Sequence, residues 1–109
     1  MSTTARGAIA DESNAIFVSA ASAWEIATKF RIGKLPGVAA IVGDLAAVLE
    51  AQGFAPLPIS FFHGQLAGTL PGPLRDPFDR MLIAQAMHDD MVLVSNEESF
   101  SAYGVRRRW

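Results

Sequence analysis

The chain has 109 residues, 50% of them hydrophobic, with no cysteine and a formal net charge of −2. This length supports one core and is too short for two full domains, and the lack of cysteine excludes disulfides, thiolate metal sites and a cysteine nucleophile. The acidic balance argues against broad, non-specific nucleic-acid binding, which needs a basic surface, and leaves room for local phosphate contacts.

Residues 2–10 are predicted as a short helix with a Ser/Thr cap, followed by the polar turn Asp11-Glu12-Ser13-Asn14. Ile16-Phe17-Val18 is an apolar run suited to a buried strand. Residues 19–32 read as a helix with Ala23, Ile26, Ala27 and Phe30 on one stripe, stopped by Gly33. A second, strongly apolar helix is predicted over 38–52, ending at Gly53. Residues 54–59 form a second strand that Pro56 and Pro58 push toward a sheet edge. Ser60 caps a helix reaching Leu70, and Pro71-Gly72-Pro73 breaks the chain. Asp76 followed by Pro77 is an acidic cap with proline at the first helical position. The helix it starts runs to Asp89 and is apolar on most sides. Residues 91–94 form a third strand, 97–100 a short helix and 105–108 a last strand. Arg106-Arg107-Arg108 reads as a solvated strand end. No stretch approaches the roughly 18 apolar residues of a membrane span, and the N-terminus lacks the apolar core of a signal peptide. The sequence is therefore read as cytoplasmic, with no membrane partner.

Strands alternating with helices predict an α/β sandwich with a mainly parallel sheet, as a single domain over 1–109. In such sheets, sites form beyond the carboxyl ends of the strands. Glu25, the Asp76/Asp79 pair and Glu97 fall just after predicted strands or at helix starts. Clustered carboxylates, without cysteine and with two histidines, suit Mg2+ or Mn2+. The reaction class that follows is metal-assisted phosphodiester hydrolysis. Each residue also has a structural reading. Glu25 completes a capping-box spacing with Ser22 and lies one turn before Lys29. Asp76 is a helix cap. Asp79 shares a face with Ile83 and Ala86, where a carboxylate needs a partner or a cation; the helix N-terminus favours negative charge there. Arg75 and Arg80 either neutralise these acids or contact phosphate. His63 and His88 read as structural or exposed, and Trp24 and Trp109 as packing residues.

The segment Phe17-Val18-Ser19-Ala20-Ala21-Ser22-Ala23-Trp24-Glu25-Ile26-Ala27-Thr28-Lys29 resembles the second strand and following helix of VapC-type PIN-domain toxin ribonucleases. Arg75-Asp76-Pro77-Phe78-Asp79-Arg80-Met81-Leu82-Ile83-Ala84-Gln85-Ala86 resembles their second acidic motif, and Leu93-Val94-Ser95-Asn96-Glu97 their later strand and acidic turn. The ending Phe100-Ser101-Ala102-Tyr103-Gly104-Val105 fits one branch of the family. The resemblance implies a PIN-like three-layer sandwich and a magnesium-dependent endoribonuclease, with Mn2+ as an alternative ion. It implies an RNA substrate and a VapB-type antitoxin partner. It makes Glu25 and Asp79 catalytic, and Glu25, Asp76, Asp79 and Glu97 metal ligands. Glu97 stands where the family has aspartate, which displaces its carboxylate by one methylene. The family opens with an apolar strand ending in a metal-binding aspartate. Nothing before Ile16 supplies that strand, and Asp11 follows no strand. The sequence is thus read as an N-terminally truncated PIN-like domain with the first strand missing and with little activity expected. The alternative is a catalytically impaired module that acts by binding antitoxin or by self-association. A sheet lacking a central strand presents unpaired edges, which predicts a homo-oligomer.

Overall fold

The computed structural model describes residues 2–109, the Ala40 side chain excepted. Met1, part of the N-terminal stretch read above, lies outside the described residues. In chain order the elements are α1 (Thr3–Ala10), β1 (Phe17–Ser19), α2 (Ala20–Arg31), α3 (Ala39–Val42), α4 (Leu45–Ala51), β2 (Ala55–Leu57), α5 (Phe61–Thr69), α6 (Pro77–His88), β3 (Leu93–Val94) and β4 (Arg107–Arg108). Single 3-10 segments cover Pro36–Val38 and Glu98–Tyr103. Among the described residues no helix is long and apolar enough to cross a membrane.

The chain divides into two compact units, one formed by Ala15–Pro58 and the other by the residues up to Asn14 together with Ile59–Trp109. In the first unit β1 and β2 pair in parallel, with Phe17 opposite Ala55, Val18 opposite Pro56 and Ser19 opposite Leu57. Ser19 ends the strand and caps α2, its Oγ accepting the Ala21 N–H at 3.0 Å. Gly33 closes α2 at φ 82°. There the Gly33 N–H donates to the Phe30 carbonyl and the Lys34 N–H to the Lys29 carbonyl. That pair of bonds is a Schellman stop, which needs a left-handed residue and so favours glycine.

The single helix expected over 38–52 is not what forms. The apolar pattern runs through, yet the helix breaks at Gly43-Asp44. Glycine lowers the cost of leaving the helix. The Asp44 carboxylate then accepts the Ala47 N–H at 3.1 Å and starts α4 afresh. Trp24 on α2 is 62% exposed and Trp109 39% exposed, so neither belongs to the buried core.

In the second unit α5 and α6 pack together. Ile83, Ala84 and Ala86 of α6 are buried with Ala67, Leu70 and Phe100. Alanines on the facing surfaces let the two helices approach closely, while Ile83 and Phe100 supply the large apolar area. Complete burial of each is worth about 1.5–3 kcal/mol. Ser60 caps α5 and Asp76 caps α6, as the sequence predicts. β3 and β4 pair in parallel, Leu93 opposite Arg107. The chain therefore adopts the α/β class with parallel strands, and among the described residues the pairing occurs as two separate two-stranded sheets. The strands are shorter than expected: residues 54–59 narrow to Ala55–Leu57 and 105–108 to Arg107–Arg108. The basic end is only partly solvated. Arg106 donates to the Asp90 carboxylate at 2.8 Å, and Arg107 to the Ser95 carbonyl at 2.9 Å.

Candidate functional site

The start of α6 concentrates three charged side chains in five residues. The Asp76 backbone is extended, and its Oδ1 accepts the N–H groups of Phe78 (2.8 Å) and Asp79 (3.3 Å). Pro77 occupies the first helical position, where its missing donor is no loss. Both bonds use one oxygen of Asp76, and the residue is exposed. Asp79 follows in the first turn and is half-buried. Four and seven residues on along its face, Ile83 and Ala86 are buried. The sequence motif thus brings Asp76 and Asp79 together on one helix end, linked through the Asp79 amide.

Arg80 resolves one of the two choices the sequence left open. Its guanidinium donates to three backbone carbonyls: Nε to Ala67 at 2.9 Å, one terminal nitrogen to Leu74 at 2.8 Å and the other to Leu70 at 2.5 Å. Ala67 and Leu70 lie at the C-terminal end of α5, where carbonyls lack helical partners. Arg80 is therefore a clamp between the two helices and not a free phosphate contact. Arg75 is exposed.

Glu97 follows β3 in the same unit. It precedes the 3-10 segment without capping it, and its N–H donates to Ser95 Oγ at 3.1 Å. Its side chain is exposed. Glu25 lies in the other unit, in the second turn of α2. Because Ser19 is the cap, Ser22 falls inside the helix and the Ser22/Glu25 capping box does not form. Glu25 instead pairs with Lys29 at 3.5 Å, the side chains 26% and 48% exposed. An exposed pair of this kind contributes little.

Sequence reasoning missed one constellation. His63, on the first turn of α5, is buried; His88 ends α6 and Asp89 caps it. Asp89 receives His63 Nε2 at 3.0 Å and His88 Nδ1 at 2.8 Å. The His88 bond, opposed by burial and aided by His63, holds the Asp89 carboxyl below its ordinary value. Ligand-type atoms of these three residues lie within 4.8 Å of one another. The only sequence signal was Ser60 three residues before His63. That is the capping-box spacing, with imidazole in the place usually held by Glu or Gln.

The order of elements, the parallel pairs and the acidic turn at α6 define a class that comparison makes explicit. The PIN domain family model matches residues 2–105, and the chain belongs to that family. Over 58 residues it is 38% identical to Ribonuclease VapC16 of Mycobacterium tuberculosis (strain H37Rv). That alignment covers 53% of this chain and 41% of the relative, so it spans less than half of VapC16. No solved structure matches the chain.

Proposed function

We propose that this VapC-like protein is a divalent-metal-dependent endoribonuclease whose central acid is Asp79. One observation carries the reading: Asp79 is a half-buried carboxylate on an otherwise apolar helix face, beside Asp76, in a chain matched by the PIN model across both acids. The donor set fits Mg2+ or Mn2+, since hard cations take carboxylate and water oxygens, and Asp76 uses one oxygen, Oδ1, for both of its cap bonds. Asp79 and Asp76 would hold such an ion. Glu97, in the same unit, is a further acid of the set, and Glu25 is a candidate ligand from its sequence motif alone. When bound, the ion supplies Lewis-acid stabilisation of a phosphate and a more acidic water. Asp79, held in place by the clamped helix end, orients the reacting groups. In the reaction, water adds to phosphorus, the bond to the leaving ribose oxygen breaks, and that oxygen takes up a proton.

The test is cleavage of an unstructured RNA by the purified protein with Mg2+, with Mn2+ and with chelator, alongside Mn2+ binding followed by water-proton relaxation. The expected result is cleavage that requires the ion and is lost, together with Mn2+ binding, in Asp79→Asn. Cleavage that persists in chelator or in a folded Asp79→Asn variant overturns the proposal.

A second reading, binding of a polypeptide such as a VapB-type antitoxin or a further copy of the chain, is favoured by Phe61 and Phe62. These adjacent aromatics at the start of α5 are 84% and 62% exposed. Light scattering that reports a monodisperse monomer would remove the self-association half of that reading.

A further inference from the structure

We propose that His63, His88 and Asp89 form a binding site for a transition metal of the zinc class, separate from the acidic turn of α6. The argument starts from where the protons sit. The Ser60 N–H donates to His63 Nδ1 at 3.0 Å, so that nitrogen carries a lone pair. Neutral His63 must then bear its proton on Nε2, which faces Asp89 Oδ2 at 3.0 Å. The carboxylate only accepts, so His88 Nδ1 is the donor to Asp89 Oδ1 at 2.8 Å. Two protons therefore bridge three ligand atoms that already lie within 4.8 Å of one another.

The set is preorganised from both helices. His63 is 4% exposed and held by the capping box of α5. The His88 ring lies parallel to Phe62, with centroids 5.9 Å apart, and edge-on to His63 at 5.2 Å. His88 and Asp89 keep 45% and 26% of their side-chain surface, which gives an ion a route in and leaves further positions for water. Two imidazoles and one carboxylate suit Zn2+, Co2+ or Ni2+ far better than Mg2+. On binding, His63 moves its proton from Nε2 to Nδ1, His88 gives up the proton on Nδ1, and Asp89 contributes its charge. For His63 that shift places a proton on Nδ1 and breaks the bond from Ser60. The other half of the capping box, His63 N–H to Ser60 Oγ at 3.1 Å, does not involve the ring. Metal binding at this site is thus coupled to one specific amide, that of Ser60.

The experiment titrates the purified protein with ZnCl2 in Mg2+-containing buffer. Calorimetry gives stoichiometry, and nitrogen-15 spectra report the histidine ring nitrogens and the Ser60 amide. The expected result is one Zn2+ per chain, His63 Nδ1 changing from acceptor to N–H, and a displaced Ser60 amide. Asp89→Asn and His88→Ala, the latter at a half-exposed position where folding survives, each weaken Zn2+ binding by roughly tenfold or more. Asp79→Asn leaves it unchanged, which separates this site from the acidic turn. Absence of any Zn2+-induced change at His63 and Ser60 overturns the proposal. So does Zn2+ binding that survives in both Asp89→Asn and His88→Ala, or that Asp79→Asn removes.

Discussion

Replacing Arg80 with methionine keeps most of the aliphatic length and removes every donor of the clamp. Three carbonyls, those of Ala67, Leu70 and Leu74, then lose their partner. A hydrogen bond to a charged group contributes about 1.5–3 kcal/mol, so three set a ceiling of roughly 4.5–9 kcal/mol. The sites are part-buried and water reaches the vacated carbonyls, which lowers the expected loss to about 2–4 kcal/mol. With a urea m-value of about 1–3 kcal/mol/M, the midpoint of unfolding falls by on the order of 1–2 M. Arg80→Lys is the decisive companion. It keeps the charge, yet an ammonium on one stem cannot present the planar fork that meets three carbonyls at once, so it recovers only part of the loss. Equilibrium urea unfolding followed by circular dichroism measures both. A loss under about 0.5 kcal/mol in Arg80→Met, or full recovery in Arg80→Lys, would show that the clamp is an ordinary surface contact and reopen a phosphate-binding role.

Asp76→Ala destabilises by about 0.5–2 kcal/mol through loss of the α6 cap, whereas Asp76→Asn keeps the cap and the stability. Thermal unfolding checks both, and equal stability of all three proteins would refute the cap. Gly72 sits at φ 96°, and a Cβ there would lie 2.7 Å from Tyr103 Oη, which accepts the Leu74 N–H at 3.1 Å. Gly72→Ala combines backbone strain of about 1–3 kcal/mol with displacement of that hydroxyl, and its melting temperature should fall; an unchanged value would refute the contact. The Asp11 carboxylate accepts from Ser13 Oγ at 2.7 Å and Ser13 N–H at 2.9 Å, and these bonds lower its pKa. A lowered folded-state pKa gives stability that is present above the unfolded value, about 3.9, and is lost as pH falls through the folded one. A carbon-13 titration of the carboxyl should find its midpoint below that of Asp11 in Ser13→Ala; coincident midpoints would refute the turn.

Much of the fold was legible because local chemistry decides it. Ser2, Ser60 and Asp76 read as caps and act as caps, while Gly33 and Gly53 read as stops and take positive φ. Where two local signals competed, the reading failed. The apolar run over 38–52 reads as one helix, but the Asp44 cap starts a second one within it. Strand lengths failed because pairing is a tertiary matter: residues 105–108 look like one strand, and only Arg107–Arg108 finds β3. Of the candidate acids, the Asp76/Asp79 pair was readable because one helical turn sets it. The His63–Asp89 bond spans 26 residues, and no periodicity announces it. Arg80 was visible as a charge, but its three carbonyl partners come from a different helix and loop.

The five residues from Asp76 to Arg80 explain why that motif is dense in charge without being simply acidic. Asp76 precedes the helix and spends one oxygen on its amides. Asp79 and Arg80 are adjacent, so their side chains diverge by about 100° around the axis. Arg80 turns toward the end of α5 and fastens the turn, while Asp79 is left half-buried over the apolar row of Ile83 and Ala86. A flexible helix end would let a carboxylate rotate into water and hold an ion loosely. A turn capped on one side and clamped on the other fixes where Asp79 stands. The two kinds of substitution therefore separate experimentally. Arg80 variants should lower stability and ion affinity together. Asp79→Asn should abolish ion binding and lower the unfolding midpoint by less than Arg80→Met does, since it removes none of the clamp's three bonds. If Asp79→Asn destabilised the protein as strongly as Arg80→Met, Asp79 would be a structural carboxylate, and the metal reading of this turn would fall with it.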